Sequence, residues 1–307
     1  MSLIARAQAL ARSARFTDAH AAVLLMCVFG LGWALVESVF GARMRQTYDL
    51  MQVVWMRYAV HLLIVFAIWG WRRPSRIWRT TRPVYHLLRS LLMLIMPVSF
   101  AWAFTHGAPL SFTWAVFWLS PVVVALLAML WWGERPSAVT WGCLAAGLLG
   151  MLVLDLPVVP HSKLAIVAPL MMAASFSVYV VMTRSLREER LETNLFYTAI
   201  GVFVLLSLYV PGVWVTPSLH DVVMVAGIGG FGFVALLALD RAVHRAAISG
   251  ATPAMYVQVA FTAVIGALSA RHGLSLPMLA GTVIIVAACV VAWRFAGTSR
   301  LTGARSE

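Results

Sequence analysis

The sequence predicts an all-α polytopic membrane protein whose ten transmembrane helices form two inverted five-helix repeats. Three observations lead to this fold class. Of the 307 residues, 62% are apolar and only 11% are charged, whereas soluble domains carry roughly 25% charged residues. The apolar residues fall into ten runs, each close to the roughly 20 residues that a helix needs to cross a bilayer. The basic residues collect on alternate sides of these runs.

The runs follow one another with short connections that leave no room for a soluble domain. Most of the charges, prolines and glycines lie in those connections. Several tryptophans lie at run ends, where an indole ring favours the membrane interface. The predicted spans are residues 19–40, 50–70, 83–104, 109–131, 138–157, 164–183, 194–214, 220–239, 247–270 and 275–295.

The first run has some features of a signal peptide, because Arg6, Arg12 and Arg15 precede it and Gly41-Ala42 resembles a cleavage site. The run is longer than the roughly 7–15 apolar residues of a signal-peptide core. We therefore expect an uncleaved first span.

Basic residues set the predicted orientation. Seventeen of the 23 lie on the side of the two termini and four lie on the other side, while Arg57 and Arg89 lie inside spans. Loops rich in Lys and Arg stay in the cytoplasm, so both termini are predicted to be cytoplasmic and the number of spans to be even. A net charge of +12 could indicate nucleic acid, but its clustering between apolar runs points to membrane lipid as the partner and to no nucleic acid.

The three cysteines indicate neither a metal site nor a disulfide framework. Cys27, Cys143 and Cys289 all lie inside apolar runs and lack metal-ligand spacing. We interpret them as small buried apolar residues. No motif for a cofactor is present, so none is predicted.

An internal repeat is visible when the chain is compared with itself at a shift of 139 residues. Gly142 then falls on Gly281 and Thr113 on Thr252. The fourth and fifth spans coincide with the ninth and tenth, so each half holds five spans. Because five is odd, the halves must face opposite ways, which is the inverted-repeat topology of many transporters.

Several segments resemble the drug/metabolite transporter superfamily, in particular its EamA-type members with ten spans. They are Ser120-Pro121, LWWGERPS at 130–137, Trp141-Gly142, QVVWMRY at 52–58, Arg82-Pro83 and Leu88-Arg89. The second half departs from the family pattern, since Arg271-His272-Gly273 stands where many members have a second Gly-Glu. This departure argues against a mechanism that uses a symmetric pair of glutamates.

The resemblance implies a secondary carrier or exchanger of the inner membrane. Members of the superfamily carry amino acids, nucleoside-like metabolites, vitamins, amines or drugs. The implied organisation is a cytoplasmic segment at 1–18, two EamA-like repeats at 19–157 and 158–296, and a cytoplasmic tail at 297–307.

Ionisable residues within spans are the first candidates for function, because burying them in a bilayer is costly. Arg57 and His61 are four residues apart and share a helix face, which suits a carboxylate or phosphate, with His61 titrating near neutral pH. Alternatively, Arg57 pairs with Glu37 or with a carbonyl and joins two helices. Glu37 is a candidate proton carrier or ligand of a cationic substrate, or else a structural partner for Arg57, Arg43 or Arg45.

Other candidates lie on the third, fourth and ninth spans. Arg89 is either structural or a substrate ligand. Pro121 cannot donate to the carbonyl of Phe117, so the fourth helix should break there and expose Trp118 to an aromatic or cationic solute.

On the ninth span, Tyr256 and Gln258 lie at a similar level and either contact the substrate or pack. Glu134 follows the fourth span and is a surface ion pair, a helix cap or a lock on the inward gate.

These features predict a small-molecule carrier that works by alternating access, with proton coupling as a possibility and homodimerisation left open. A membrane-embedded enzyme would need clustered catalytic groups, and no catalytic residue is predicted. A channel-like facilitator would need rings of charge or carbonyl filters. Both remain alternatives.

Overall fold

The computed structural model describes residues 17–160, 164–269, 275–296 and 300–301. The predicted all-α polytopic fold is confirmed: within these residues, nine apolar helices are long enough to cross a membrane, and the apolar helix Ala138–Leu154 is shorter. Short helices at Ala42–Met44 and Ser75–Trp78 lie in the connections, and strands β1 (Glu134–Arg135) and β2 (Arg300–Leu301) pair antiparallel. The main helices are α1 Asp18–Gly41, α2 Leu50–Gly70, α3 Pro83–Thr105, α4 Leu110–Trp132, α5 Ala138–Leu154, α6 Leu164–Arg184, α7 Leu191–Gly212, α8 Leu219–Arg245, α9 Ile248–Ser269 and α10 Leu276–Arg294.

The start of α1 and the ends of α8 and α10 lie on one face. Arg245 at the end of α8 is 3.4 Å from Asp18 at the start of α1. The ring of His20 lies 5.2 Å from that of Trp293 near the end of α10. We call this side the termini face and the other side the opposite face. The segments predicted at 1–18 and 297–307 lie almost entirely outside the described residues.

The helix contacts form matching pairs: when each helix is replaced by the one five places away along the chain, a contact in one half becomes a contact that is also present. The contact of α1 with α8 has its counterpart in α6 with α3, and that of α2 with α8 in α7 with α3. The contact of α1 with α9 corresponds to that of α6 with α4, while α2–α7 and α5–α10 are their own counterparts. The contacts of the first five helices thus have counterparts among the last five.

Glycines allow two of these helix pairs to approach closely. A Cβ atom on Gly150 of α5 would lie 2.9 Å from the carbonyl oxygen of Gly281 on α10. A Cβ atom on Gly229 of α8 would meet Val60 of α2. Small residues at such contacts bring helix backbones together, whereas Gly142 has nothing within 4 Å of its Cβ position.

Several of the described helices depart from regular α geometry. The predicted break in α4 is present: one segment ends at Phe117 and the next begins at Ser120. In α9 a 3-10 turn occupies Thr252–Tyr256. The last part of α1, Val36–Gly41, is a π-helix, a form that often occurs at functional sites.

The predicted end of the eighth span does not coincide with the end of the helix. The span was predicted to end at residue 239, but α8 continues to Arg245. The prediction followed hydropathy, which shows only where the apolar residues end. The helix is defined by its backbone hydrogen bonds, which continue into the polar residues that follow. The added turns carry Asp240 and His244 into the packed interior of the termini face.

Candidate functional site

A cavity with two lobes lies between the halves, towards the opposite face. Its lobes meet at Glu37, Arg45 and Trp114, which line both. One lobe lies among α1, α2, α3, α4 and α6. The other lies among α1, α4, α5 and α9.

The first lobe, which we call the Arg57 lobe, offers an unpaired donor in an apolar and aromatic setting. The guanidinium carbon of Arg57 lies 4.9 Å from the ring centre of Trp33 and 4.7 Å from that of Tyr58. Its Nε is buried and has no acceptor among the residues that the structure describes. Met96 and Phe100 add apolar wall. A partly buried cation with a buried donor left over is suited to binding an anionic group.

Glu37 pairs with Arg45 and not with Arg57. The Arg45 Nη1 to Glu37 Oε2 distance is 3.0 Å, and both side chains are partly exposed. Glu37 lies in the π-helical end of α1, and Gly41 in the same turn leaves room for the Arg45 guanidinium. The pairing of Glu37 with Arg57 that the sequence allowed is therefore wrong, and Arg57 remains available at the cavity.

The second lobe, which we call the Asp155 lobe, is more polar. Ser111, Asp155, Gln258 and Trp118 line it. Asp155 follows α5 at the opposite face, and burial raises the pKa of its carboxyl. The sequence analysis did not single out Asp155; its position at the end of the fifth apolar run, close to the broken fourth helix, was the available signal.

Trp118 and Tyr256 form the wall where α4 breaks. The Tyr256 hydroxyl donates to the Trp118 carbonyl at 2.9 Å, which gives a partner to a carbonyl at the interruption of the helix. Tyr256 is fully buried, and its ring occupies the space left by Gly147. It therefore lies behind Trp118, which lines the cavity itself.

Two further predicted residues lie outside the cavity. His61 is buried, with its Nε2 3.1 Å from the carbonyl oxygen of Leu195. Arg89 is also buried and donates to Thr183 Oγ1 at 3.1 Å and to the carbonyl of Asn194 at 2.7 Å. Neither lines either lobe, so their roles as substrate ligands stay predictions.

The termini face is closed by a buried ion pair between Glu134 and Arg184, 3.3 Å apart. Glu134 accepts from the backbone N–H groups of Ile248 at 3.0 Å and Ser249 at 2.9 Å. Its carboxylate thus caps the start of α9, while the following helix is capped by Ser137.

Arg184 also donates to the carbonyls of Val243 and Ala246. We call the pair and these four backbone contacts the termini lock, because it ties the ends of α4, α6 and α8 to the start of α9.

Among the described residues, no group of three or more His, Cys, Asp or Glu side chains could hold a metal ion. The charged groups of the cavity are spread over its two lobes. The arrangement can bind a molecule with charges of both signs and a flat ring.

Known proteins resemble this chain over most of its length. Residues 20–155 match the model of the EamA-like transporter family, nearly the same stretch as the first predicted repeat. The S-adenosylmethionine uptake transporter of Rickettsia felis is 22% identical over 271 residues, which are 84% of this chain and 90% of that protein. The transporter of the same name from Rickettsia conorii is 23% identical over 270 residues, which cover 84% and 90%.

A solved crystal structure has the same fold, with a TM-score of 0.75 and 18% identity over 92% of this chain and 97% of that one. Together these similarities confirm the resemblance to EamA-type transporters that the sequence motifs indicated.

Proposed function

We propose that this chain, whose residues 20–155 match the model of the EamA-like transporter family, is a secondary carrier that moves a small zwitterionic metabolite by alternating access. It is a multi-pass membrane transporter and not an enzyme. The observation that carries the proposal is one cavity with charges of both signs, open towards the opposite face and closed by the termini lock. We place the termini face in the cytoplasm, because the basic residues collect on that side, and the protein in the inner membrane, as the family resemblance implies.

The cavity suggests how the substrate is oriented. Its carboxylate would bind Arg57, the cation whose Nε has no acceptor among the described side chains. A positive centre would lie near Glu37 and Asp155, which face the junction and the second lobe. Flat groups would stack on Trp114 or Trp118.

S-adenosylmethionine is our first candidate substrate, since the relatives are named for its uptake. It combines a carboxylate, an amine, a sulfonium cation and an adenine ring, which are the groups that this cavity can match. The sulfonium would compete with Arg45 for Glu37, so binding would loosen an ion pair that is 3.0 Å long in the structure.

The cavity would open to one face of the membrane at a time while the other face is closed. The termini lock holds the cytoplasmic side while substrate enters from the opposite face. As the opposite face closes, Glu134 would release the start of α9 and open the path inward. A carrier of this kind exchanges solute across the membrane without an open pore at any time.

Flux in proteoliposomes tests the proposal. Purified protein would be reconstituted and loaded with unlabelled S-adenosylmethionine, and uptake of the labelled compound would be followed. Saturation and counterflow are expected of a carrier, whereas uptake that stays linear without counterflow would indicate a channel. In parallel, a thermal-shift screen of amino acids, nucleosides, vitamins and amines would identify another substrate. No stabilisation and no flux with any of them would refute the proposed function.

Variants of Arg57 test the site. Arg57→Ala should weaken binding of the carboxylate-bearing substrate by on the order of tenfold to a hundredfold, because a charge-assisted contact contributes about 1.5–3 kcal/mol. Arg57→Lys, which keeps the charge, should retain part of the affinity. Arg73→Ala removes an exposed arginine of the termini face and serves as the matched control. Equal affinities in all three would remove Arg57 from the site.

A further inference from the structure

The last turns of α8 bring two titratable side chains into a buried layer away from the cavity. Asp240 and His244 are one helical turn apart, with side chains that are 5% and 14% exposed. Neither residue lines a lobe of the cavity. They contact side chains or backbone of α6 and α7, so they lie between helices of the termini face.

The hydrogen bonds fix how His244 carries its protons. Its Nε2 lies 3.0 Å from the carbonyl oxygen of Thr183. A carbonyl oxygen only accepts, so Nε2 must carry a hydrogen. In a neutral imidazole the other nitrogen, Nδ1, then presents a lone pair. That lone pair faces Asp240 Oδ2 at 3.4 Å.

This contact is attractive only when one proton lies between the two groups. Either His244 is protonated on both nitrogens and faces a carboxylate, or a protonated Asp240 donates to a neutral imidazole. Without the proton, two lone pairs meet in a buried setting, which is repulsive. Asp240 Oδ2 has no hydrogen-bond partner within the described part of the chain, so nothing else there compensates its charge by a direct bond.

The groups around Asp240 and His244 favour one proton-binding site at this pair rather than a proton shared among many titratable side chains. Asp240 Oδ1 accepts from Asn194 Nδ2 at 3.0 Å. The other charges that act on Asp240 are Arg89 on α3 and Arg241, its neighbour on α8. Helices α6 and α7 contribute the uncharged Thr183 and Asn194 to the network. Arg184 of α6 is bound to Glu134.

We propose that Asp240 and His244 form a proton-binding site that holds the termini face closed. This inference rests on the proposed alternating access and adds its regulation by the proton. With the proton bound, α8 is joined to α6 through His244 and to α7 through Asp240. Loss of the proton turns the central contact repulsive and favours a state in which both groups reach water. The closed state therefore binds the proton more tightly than the open state, so low pH favours closure and rising pH favours opening.

Asp240→Asn provides a close mimic of the protonated pair. The asparagine Nδ2 can donate to Nδ1 of a neutral His244 with no bound proton, while its Oδ1 still accepts from Asn194. This variant should therefore stay closed at high pH, where the parent opens. Asp221→Asn, at the other end of α8, removes a carboxylate that contacts Tyr48 and Ser218 instead and is the matched control.

A buried reporter at the termini lock detects opening without any substrate. Ser249 is fully buried beside Glu134, and its Oγ has no hydrogen-bond partner in the described structure. Ser249→Cys would be made in a protein in which Cys27, Cys143 and Cys289 are alanine, and maleimide labelling would be measured in nanodiscs. Comparison of two proteins at the same pH cancels the pH dependence of thiol reactivity itself.

We expect the reporter protein and its Asp240→Asn variant to label at equal rates at low pH. At high pH the parent should label roughly tenfold faster, as expected when a buried charged contact turns unfavourable, and the Asp221→Asn control should follow the parent. If parent and Asp240→Asn show the same pH profile, the proton site is refuted.

His244→Gln gives a second test in case Asp240→Asn does not fold. The glutamine can keep the donor to the Thr183 carbonyl, but a proton must then reside on Asp240 alone. The midpoint of opening should therefore move to lower pH, and an unchanged midpoint would overturn the proposal. The labelling assay contains no solute, so its result does not depend on the substrate. An absence of transport in the flux assay would therefore refute the carrier without changing the result of the labelling assay. Normal flux with an unchanged reporter profile would refute the proton site alone.

Discussion

Replacing Glu134 by glutamine should shift the protein from the state open to the opposite face towards the state open at the termini face. The carboxylate of Glu134 is buried and makes three contacts, with the Arg184 guanidinium and with the N–H groups of Ile248 and Ser249. Glutamine keeps the shape of the side chain but removes its charge and replaces one acceptor oxygen by an NH2 donor, so part of the lock also loses its acceptor. The change therefore tests the lock with little change in packing.

The magnitude follows from the three contacts. Hydrogen bonds to charged groups contribute about 1.5–3 kcal/mol each and neutral ones about 1 kcal/mol. The substitution thus weakens the closed state by about 3 kcal/mol if none of the contacts persists when the face opens. Since every 1.4 kcal/mol changes an equilibrium roughly tenfold, the ratio of closed to open protein should fall on the order of a hundredfold.

Two cysteine reporters measure the shift from both sides. Ser249→Cys lies beside the termini lock, and Ser38→Cys lies in the Asp155 lobe. In a protein without its native cysteines, Glu134→Gln should speed labelling of the first reporter and slow that of the second. Glu188→Gln, which changes an exposed glutamate, should alter neither. Faster labelling of both reporters would indicate general loosening, and no change in either would refute the lock.

Three further predictions concern the wall of the cavity and its packing. Tyr256→Phe removes the donor to the Trp118 carbonyl and should cost about 1–3 kcal/mol, seen as a lower melting temperature in detergent. Gly150→Ala should also lower the melting temperature, because its Cβ would lie 2.9 Å from a carbonyl oxygen of α10, whereas Gly142→Ala, with open space around it, should not. Since burial raises the pKa of Asp155, its carboxyl takes up a proton at higher pH than an ordinary aspartate. Affinity for a cationic ligand should therefore fall as the pH drops through this raised range, and Asp155→Asn should abolish that pH dependence in a binding titration. An unchanged melting temperature in either of the first two variants, or an unchanged titration in the third, would contradict the corresponding contact.

The helices and the break in α4 could be predicted because both depend on local chemistry. A span is a run of apolar residues, and Pro121 lacks an N–H wherever the chain places it. The end of α8 could not be predicted in this way, since Asp240 and His244 are polar by composition and buried only by their neighbours. A pair of titratable residues four apart, directly after an apolar run, was the signal available.

Side-chain partners were harder to predict than positions. The sequence placed Glu37 and Arg57 at depths that allowed them to pair, and only the π-helical turn shows that Glu37 faces Arg45. Likewise, Glu134 is adjacent in sequence to an exposed arginine but binds Arg184, which is 50 residues away along the chain. Contacts between distant helices depend on the whole packing arrangement, which a single sequence does not specify residue by residue.

The second half of the sequence does not repeat the Glu134 carboxylate of the termini lock, and this has a kinetic consequence for the proposed carrier. At the shift of 139 residues that relates the halves, the partner of Glu134 is Gly273, so the sequence repeats no carboxylate there. If the termini face is held closed more strongly than the opposite face, we expect most unloaded carrier molecules to have an outward-facing cavity. A solute outside can then bind to nearly every molecule. A solute inside can bind only to the small inward-facing fraction, so its apparent dissociation constant rises in inverse proportion to that fraction. Concentration gradients still fix the direction of net movement, but the carrier would work at far lower solute levels outside than inside.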